Sequence, residues 1–304
     1  MEPDGHQRQR STLPDDLIAT VAEPLLALLT ERVSRAQRPV LLVNGPVGAG
    51  KSTLALGLRA LAPRYGLRLA VASIDDAYRT LQDRLTRLEG NPFGVTRVPP
   101  GSHDPEALRA AIQAWRSGDA LRLPRFDKTL AAGQGDRCGH TQDEADALIL
   151  EGWLNGCRPL GAAGLAAARW KLASWPLSEQ ERAWLPHWDR ELEAYQSLWQ
   201  CCDGLWILRP ERWTLPLRWR FQAEARQRRA GGGWLPAADL ERLVRASLNA
   251  LPPPLYQDPL LQGGATGVPL LGVTVLDGRR RCRRVEAANG TRQASDSSLS
   301  SAMG

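Results

Sequence analysis

Residues 40–60 read VLLVNGPVGAGKSTLALGLRA, and the fold is decided in this stretch. A short apolar run leads straight into GPVGAGKST, residues 45–53, which fits G-x-x-x-x-G-K-[ST] in full, and a helical pattern follows at once. Strand before and helix after is the context that makes this glycine-rich pattern specific. Gly45, Gly48, Ala49 and Gly50 form a turn whose backbone N–H groups, together with the helix start at Lys51, Ser52 and Thr53, face a polyphosphate. Lys51 is expected to reach the β- and γ-phosphates, and the Ser52 hydroxyl to ligate Mg²⁺. A nucleoside triphosphate site, for ATP with Mg²⁺, is therefore predicted.

Working outward, four more runs resemble the first: LRLAVASI at 67–74, ALILEG at 147–152, GLWILR at 204–209 and PLLGVTVL at 269–276. Each is nearly continuous in apolar residues and is separated from the next by helical or loop-rich sequence, the pattern of a parallel sheet covered on both faces. The expected fold is α/β, a three-layer sandwich with a five-stranded, mostly parallel sheet and helices on both sides. Before the sheet, Leu17, Ile18, Val21, Leu25, Leu28, Leu29 and Val33 recur at helical spacing and predict one amphipathic helix from Leu13 to about Arg35. The expected organisation is a flexible stretch over 1–12, a single domain over 13–286, and a serine-rich disordered tail over 287–304.

Composition narrows the classes. The chain has 304 residues, 43% of them apolar, enough to fill one large core. It shows no membrane-length apolar run and no secretory signal, so the expectation is a cytoplasmic protein with no membrane partner. Five cysteines (Cys138, Cys157, Cys201, Cys202, Cys282) match neither a zinc site nor a disulfide framework and read as reduced, mostly buried thiols. The net charge of +6 is concentrated in RRRCRR at 279–284, five arginines without interleaved aromatics. That reads as a solvated edge, with no nucleic-acid partner. Only Lys51, Lys128 and Lys171 are lysines among 39 basic residues, so a compact ammonium has been kept where arginine was otherwise taken.

In open α/β sheets, ligands sit beyond the C-terminal strand ends. The second run ends in SIDDAYRT, 73–80, and the third at Glu151, so both present carboxylates to the crevice of the phosphate loop. Between them lies an insertion over 91–140, where Asp104-Pro105 reads as a cap and first turn of a helix running to about Trp115. A tryptophan-rich helical insertion spans 160–202. There Ser178-Glu179-Gln180-Glu181 is a capping box, and Trp188, Leu192, Tyr195 and Trp199 share one face that reads as core.

GPVGAGKST, SIDDAYRT, GSHD, LPRFDKTLAAGQGDR, LILEGW and RWRFQAEARQR, in that order and spacing, resemble the plant and cyanobacterial type of D-glycerate 3-kinase. This is a branch of the P-loop kinases that includes phosphoribulokinase, uridine kinase and pantothenate kinase. The resemblance runs from about residue 38 to 276 and implies transfer of phosphate from ATP to D-glycerate, the step that returns photorespiratory carbon. It implies Asp75 as general base, although Ala77 stands where the family usually has phenylalanine. Asp76 reads as a cap of the segment that follows. Glu151 falls where related kinases hold Mg²⁺, with a buried structural glutamate as the other reading. Candidate donors for the acceptor carboxylate are His103, Arg125, Lys128 and Arg137, Lys128 and Arg137 first; His103 also reads as a turn residue bonding the backbone. Residues 218–234 resemble a lid. On its helix Arg220 is spaced to pair with Glu224, leaving Arg218 and Arg226 freer to meet phosphate, or else as part of an ordinary charged face. The alternatives to glycerate are another hydroxylated small molecule, such as a nucleoside, pantothenate or a sugar phosphate, and, from a different class, a nucleic-acid-binding ATPase using the arginine cluster.

Overall fold

The computed structural model describes residues 13–229, 231, 235–262 and 267–287. The flexible start expected over 1–12, the tail over 288–304 and the lid positions 230 and 232–234 lie outside them; Ala287 ends a strand.

Among the described residues eight strands follow in chain order: β1 Val40–Asn44, β2 Leu69–Ser73, β3 Leu121–Asp127, β4 Asp136–Asp143, β5 Ala147–Gly152, β6 Gly204–Pro210, β7 Leu270–Leu276 and β8 Cys282–Ala287. Six of them make one sheet in the order β2-β5-β1-β6-β7-β8; β3 and β4 form a separate two-stranded ribbon. The five expected strands are the five parallel ones, each within two residues of its expected bounds. The central strands are buried on both faces, which is why they read as unbroken apolar runs. Side chains alternate between two cores: Val40 and Leu42 face one with Leu108, Ile112, Trp188 and Trp199, while Leu41 and Val43 face the other with Leu25, Leu29, Leu54 and Trp219. Helices cover both faces, as the three-layer expectation requires.

The sixth strand corrects the count. Strand β8 runs antiparallel to β7 along the sheet edge, and a charged edge strand imitates a solvated charge run. Its turn is built by Asp277, whose Oδ1 accepts the N–H groups of Arg279 and Arg281 at 2.8 and 2.9 Å. Four of the five arginines in the cluster are accordingly held: Arg281 with Asp277 at 3.1 Å, Arg283 with Glu211 at 3.8 Å, Arg284 with Glu286 at 2.5 Å, and Arg280 onto the phosphate loop.

Local signals were kept where they fell within one turn of helix. Asp104 Oδ1 accepts the Ala107 N–H at 3.2 Å and opens the helix Pro105–Arg116. Ser178 and Glu181 close their capping box at the head of the helix Glu179–Glu191. Trp188, Leu192, Tyr195 and Trp199 are all buried, as expected. The N-terminal helical run starts at Asp15–Leu17 and holds Glu23–Ser34, but is interrupted by a π turn over Ile18–Ala22, just ahead of Pro24, which has no N–H to donate to Thr20. All five cysteines are free, but only Cys157 and Cys202 are buried and Cys138 is exposed.

Candidate active site

Parallel pairing sets the strand ends level. Glu151 of β5 is in register with Val43 of β1 on one side and Ser73 of β2 on the other. Chain leaving β1 therefore enters the glycine loop beside the Glu151 carboxylate and the 3-10 turn Ile74–Ala77. Gly48 and Gly50 take left-handed φ values of 77° and 94°, which lets the loop curl back onto the helix Lys51–Leu61. A Cβ on Gly48 would lie 2.8 Å from Trp219 Cβ and 2.9 Å from the Arg220 nitrogen, so this glycine is also needed for contact with the helix Leu215–Arg229.

Lys51 Nζ donates to the Pro46 carbonyl at 3.2 Å and stands 3.9 Å from Glu151 Oε2. Burial lowers its pKa, against the pull of Glu151 and Asp75. Ser52 Oγ donates to Glu151 Oε1 at 2.7 Å. Among the described residues no three His, Cys, Asp or Glu side chains converge on a point that would hold a metal by themselves. The hydroxyl and carboxylate of Ser52 and Glu151 are nonetheless the hard oxygen donors that suit Mg²⁺, which usually keeps water and phosphate oxygens in its shell.

Asp75 is the most heavily contacted acid of the site. Tyr78 donates to Oδ1 at 2.9 Å, Lys128 Nζ meets Oδ2 at 3.1 Å, and His103 Nε2 faces Oδ1 at 3.6 Å, beyond a normal hydrogen bond. Burial alone would raise its pKa, but Lys128, His103 and Tyr78 together hold it well below the carboxylate range. Its neighbour Asp76 turns the other way and accepts the Ser73 N–H at 2.9 Å, completing a capping box of the 74–77 turn. The segment that follows, Leu81–Arg87, is capped by Thr80, so Asp76 caps backward rather than forward. Ala77 is fully buried, and the aromatic support of Asp75 comes from Tyr78, stacked on His103 with ring centroids 4.4 Å apart.

These groups line one cleft of about 710 Å³, which Gly48, Lys51, Ser52, Asp75, Glu151 and Lys128 enter from four different segments. No protein-family model matches the chain. It is 29% identical over 216 residues to the uncharacterized kinase mug58 of Schizosaccharomyces pombe, a match covering 67% of this chain and 76% of that protein. It is 27% identical over 220 residues to the chloroplastic D-glycerate 3-kinase of Arabidopsis thaliana, covering 68% of this chain and 45% of that enzyme's length. The solved D-glycerate 3-kinase of Cryptococcus neoformans shares the fold, with a TM-score of 0.74 at 24% identity over 88% of this chain and 99% of that one. The chain is a kinase that carries a phosphate loop. It is ATP-dependent, of the small-molecule type, and its relatives include D-glycerate 3-kinases.

The kinase does not bring every expected residue to its cleft. His103 is fully buried behind Asp75, with Nδ1 2.9 Å from the Tyr195 hydroxyl. Arg137 is occupied by Asp104 at 2.7 Å and by the Tyr78 carbonyl at 2.9 Å, fastening the ribbon to the loop. Arg125 is exposed on β3 and is not among the cleft residues. Arg218 and Arg226 are exposed and also stand apart from the cleft. Arg220 does line it, while pairing with Glu224 at 2.9 Å as the spacing predicted. Trp219 decides this: it is buried and donates to the Gly278 carbonyl at 3.1 Å, so the residues on either side of it point to opposite flanks. Gly45, Ala49, Gly50 and Thr53 shape the loop and helix start without lining the cleft.

Three arginines escaped the sequence reading. Arg97 lines the cleft and donates to the carbonyls of Gly133 and Gln134 at 2.9 and 3.0 Å. Arg84 is fully buried beneath Phe126 and spends its guanidinium on the carbonyls of Arg79, Thr96, Gln134 and Gly135, pinning the ribbon tip that carries Lys128. Arg280 donates to the Gly48 carbonyl at 3.2 Å and to Gln222 Oε1 at 3.0 Å, tying the phosphate loop to the 215–229 helix. For Arg97 a signal existed, a lone cation among glycine and proline in NPFGVTRVPPG; the other two lie in helix and charge-run contexts that look ordinary.

Proposed function

We propose that the kinase transfers the γ-phosphoryl group of ATP to the 3-hydroxyl of D-glycerate, giving 3-phosphoglycerate and ADP, as a cytoplasmic enzyme of photorespiratory glycerate recovery. The observation that carries this reading is the pairing of a carboxylate and an ammonium, Asp75 and Lys128, in the cleft that the phosphate loop also lines. With Arg97 lining the same cleft, the site offers two cations to a small acid and a carboxylate to its hydroxyl.

Phosphoryl transfer asks for positioning and charge neutralisation more than for covalent chemistry. The loop N–H groups and Lys51 hold the β- and γ-phosphates, and Arg220 covers them from the lid helix. Ser52 and Glu151 would hold Mg²⁺, which when bound offsets charge on the phosphate oxygens. The acceptor oxygen attacks the γ-phosphorus, the bond to the β,γ-bridging oxygen breaks, and the hydroxyl proton passes to Asp75. His103 and Tyr78 orient Asp75 without touching substrate.

The test is a coupled ADP-release assay across D-glycerate, L-glycerate, uridine, pantothenate and ribulose 5-phosphate, with the product identified by phosphorus NMR. D-Glycerate is expected to stimulate turnover and to yield the 3-phosphate. Stimulation by another acceptor and none by D-glycerate overturns the assignment.

A further inference from the structure

The two oxygens of Asp75 are held differently. Oδ1 points into the protein, where Tyr78 donates to it and His103 stands behind, both side chains buried and His103 backed by Tyr195. Oδ2 has the Lys128 ammonium at 3.1 Å. Lys128 is unlike the buried pair: its side chain is 56% exposed, and it stands where β3 runs out into the ribbon tip. The tip has left-handed backbone at Ala131 and Ala132 and is fastened from below by Arg97. Oδ1 is thus anchored by the core, while Oδ2 is covered by a side chain that can leave. The ammonium takes one of the two lone pairs of Oδ2 and lowers its basicity, so in this state the oxygen is a poor acceptor for a hydroxyl proton.

We propose that Lys128 is a latch on Asp75 that the acceptor's own carboxylate opens. An anion seated between Arg97 and Lys128 draws the ammonium off Oδ2, and Tyr78 and His103 keep the freed carboxylate in place. The acceptor O–H proton then passes to Oδ2 as the new O–P bond forms and the bond to the bridging oxygen breaks; no further reactant is consumed. The inference rests on the reading of Asp75 as base and of the acceptor as a hydroxy acid. It has two consequences which that reading lacks. A neutral polyol with an identical primary hydroxyl, glycerol, fails to open the latch. Water in the site without acceptor meets a covered base, so idle ATP hydrolysis is suppressed.

The experiment measures kcat and KM for D-glycerate and glycerol, and ATP hydrolysis without acceptor, in the native enzyme, Lys128→Met and Lys128→Arg. In Lys128→Met the KM for D-glycerate should rise roughly 10–100-fold, the loss of one charge-assisted contact, while kcat holds within about threefold. Glycerol turnover and acceptor-free hydrolysis should both rise roughly tenfold or more as the base is uncovered. Lys128→Arg should keep most of the native preference for glycerate. An unchanged or lower acceptor-free hydrolysis in Lys128→Met overturns the latch and leaves Lys128 a plain carboxylate contact. That readout needs no acceptor, so it judges the latch even if D-glycerate proves the wrong substrate. Melting temperatures should stay together, since the side chain is more than half exposed; a merely structural lysine would move them and leave the glycerol-to-glycerate ratio alone.

Discussion

Asp75→Asn separates chemistry from binding and from folding. The substitution keeps the shape and leaves the Tyr78 hydroxyl, now 2.9 Å from Oδ1, a carbonyl oxygen to donate to. Lys128, 56% exposed, can turn to water, so the lost ion pair costs about 1 kcal/mol. Against a typical stability of about 5–15 kcal/mol, nearly every molecule remains folded. A positioned general base contributes about 10²–10⁴-fold in rate, which at about 1.36 kcal/mol per tenfold is roughly 2.7–5.4 kcal/mol of barrier. The catalytic effect should therefore exceed the effect on folding several times over. ATP binding should hold or tighten slightly, because a negative charge near Lys51 has been removed. Steady-state ADP release, ATP titration by calorimetry and a melting curve on one preparation make the comparison. A kcat within fivefold of native would remove Asp75 from the proton path, and a collapse of ATP affinity would make it a structural residue instead.

Gly48→Ala forces a side chain into left-handed backbone at about 1–2 kcal/mol and drives its Cβ into Trp219 and the Arg220 backbone, so ATP affinity should fall at least about tenfold. Gly50→Ala pays for its backbone alone, with nothing within 4 Å of the added Cβ; equal losses for the two, measured by ATP titration, would refute the contact between the loop and the 215–229 helix. Acid should weaken the fold through Asp75 and Asp104. In Asp104 burial works to raise the pKa, but Arg137 and the Ala107 N–H prevail and lower it. Carboxylates depressed in the folded state lend stability that is present above their unfolded pKa of about 4 and is lost as pH falls below it. Asp76, raised by burial, works in the opposite sense. The melting temperature should be level on this account near neutrality and fall below about pH 4, and Asp104→Asn should shrink that fall; a fall of undiminished size in the variant would count against the Arg137 pair.

What could be read locally was read at the right place. The glycine loop, the Asp104 cap and the Ser178–Glu181 box each depend on residues within one turn of each other, so their chemistry stands in the string itself. The ribbon β3–β4 has no strand pattern in the sequence, because Pro124 and Gly139 interrupt it and half of it faces solvent. Strand β8 reads as a charge run, although the Asp277-Gly278 step ahead of it is a turn signal for the hairpin.

By itself the sequence determined the layer architecture, the phosphate loop and the presence of two carboxylates beyond the second strand, because period, cap and motif are short-range properties of the chain. Tertiary structure alone decided which cations reach the cleft. Trp219 must be buried, and that rotates Arg220 inward and Arg218 away; Asp104 lies within reach of Arg137 and takes it, leaving Lys128 for Asp75. A long basic side chain goes to whichever anion packing brings near it, and such partners lie 33 and 53 residues away along the chain.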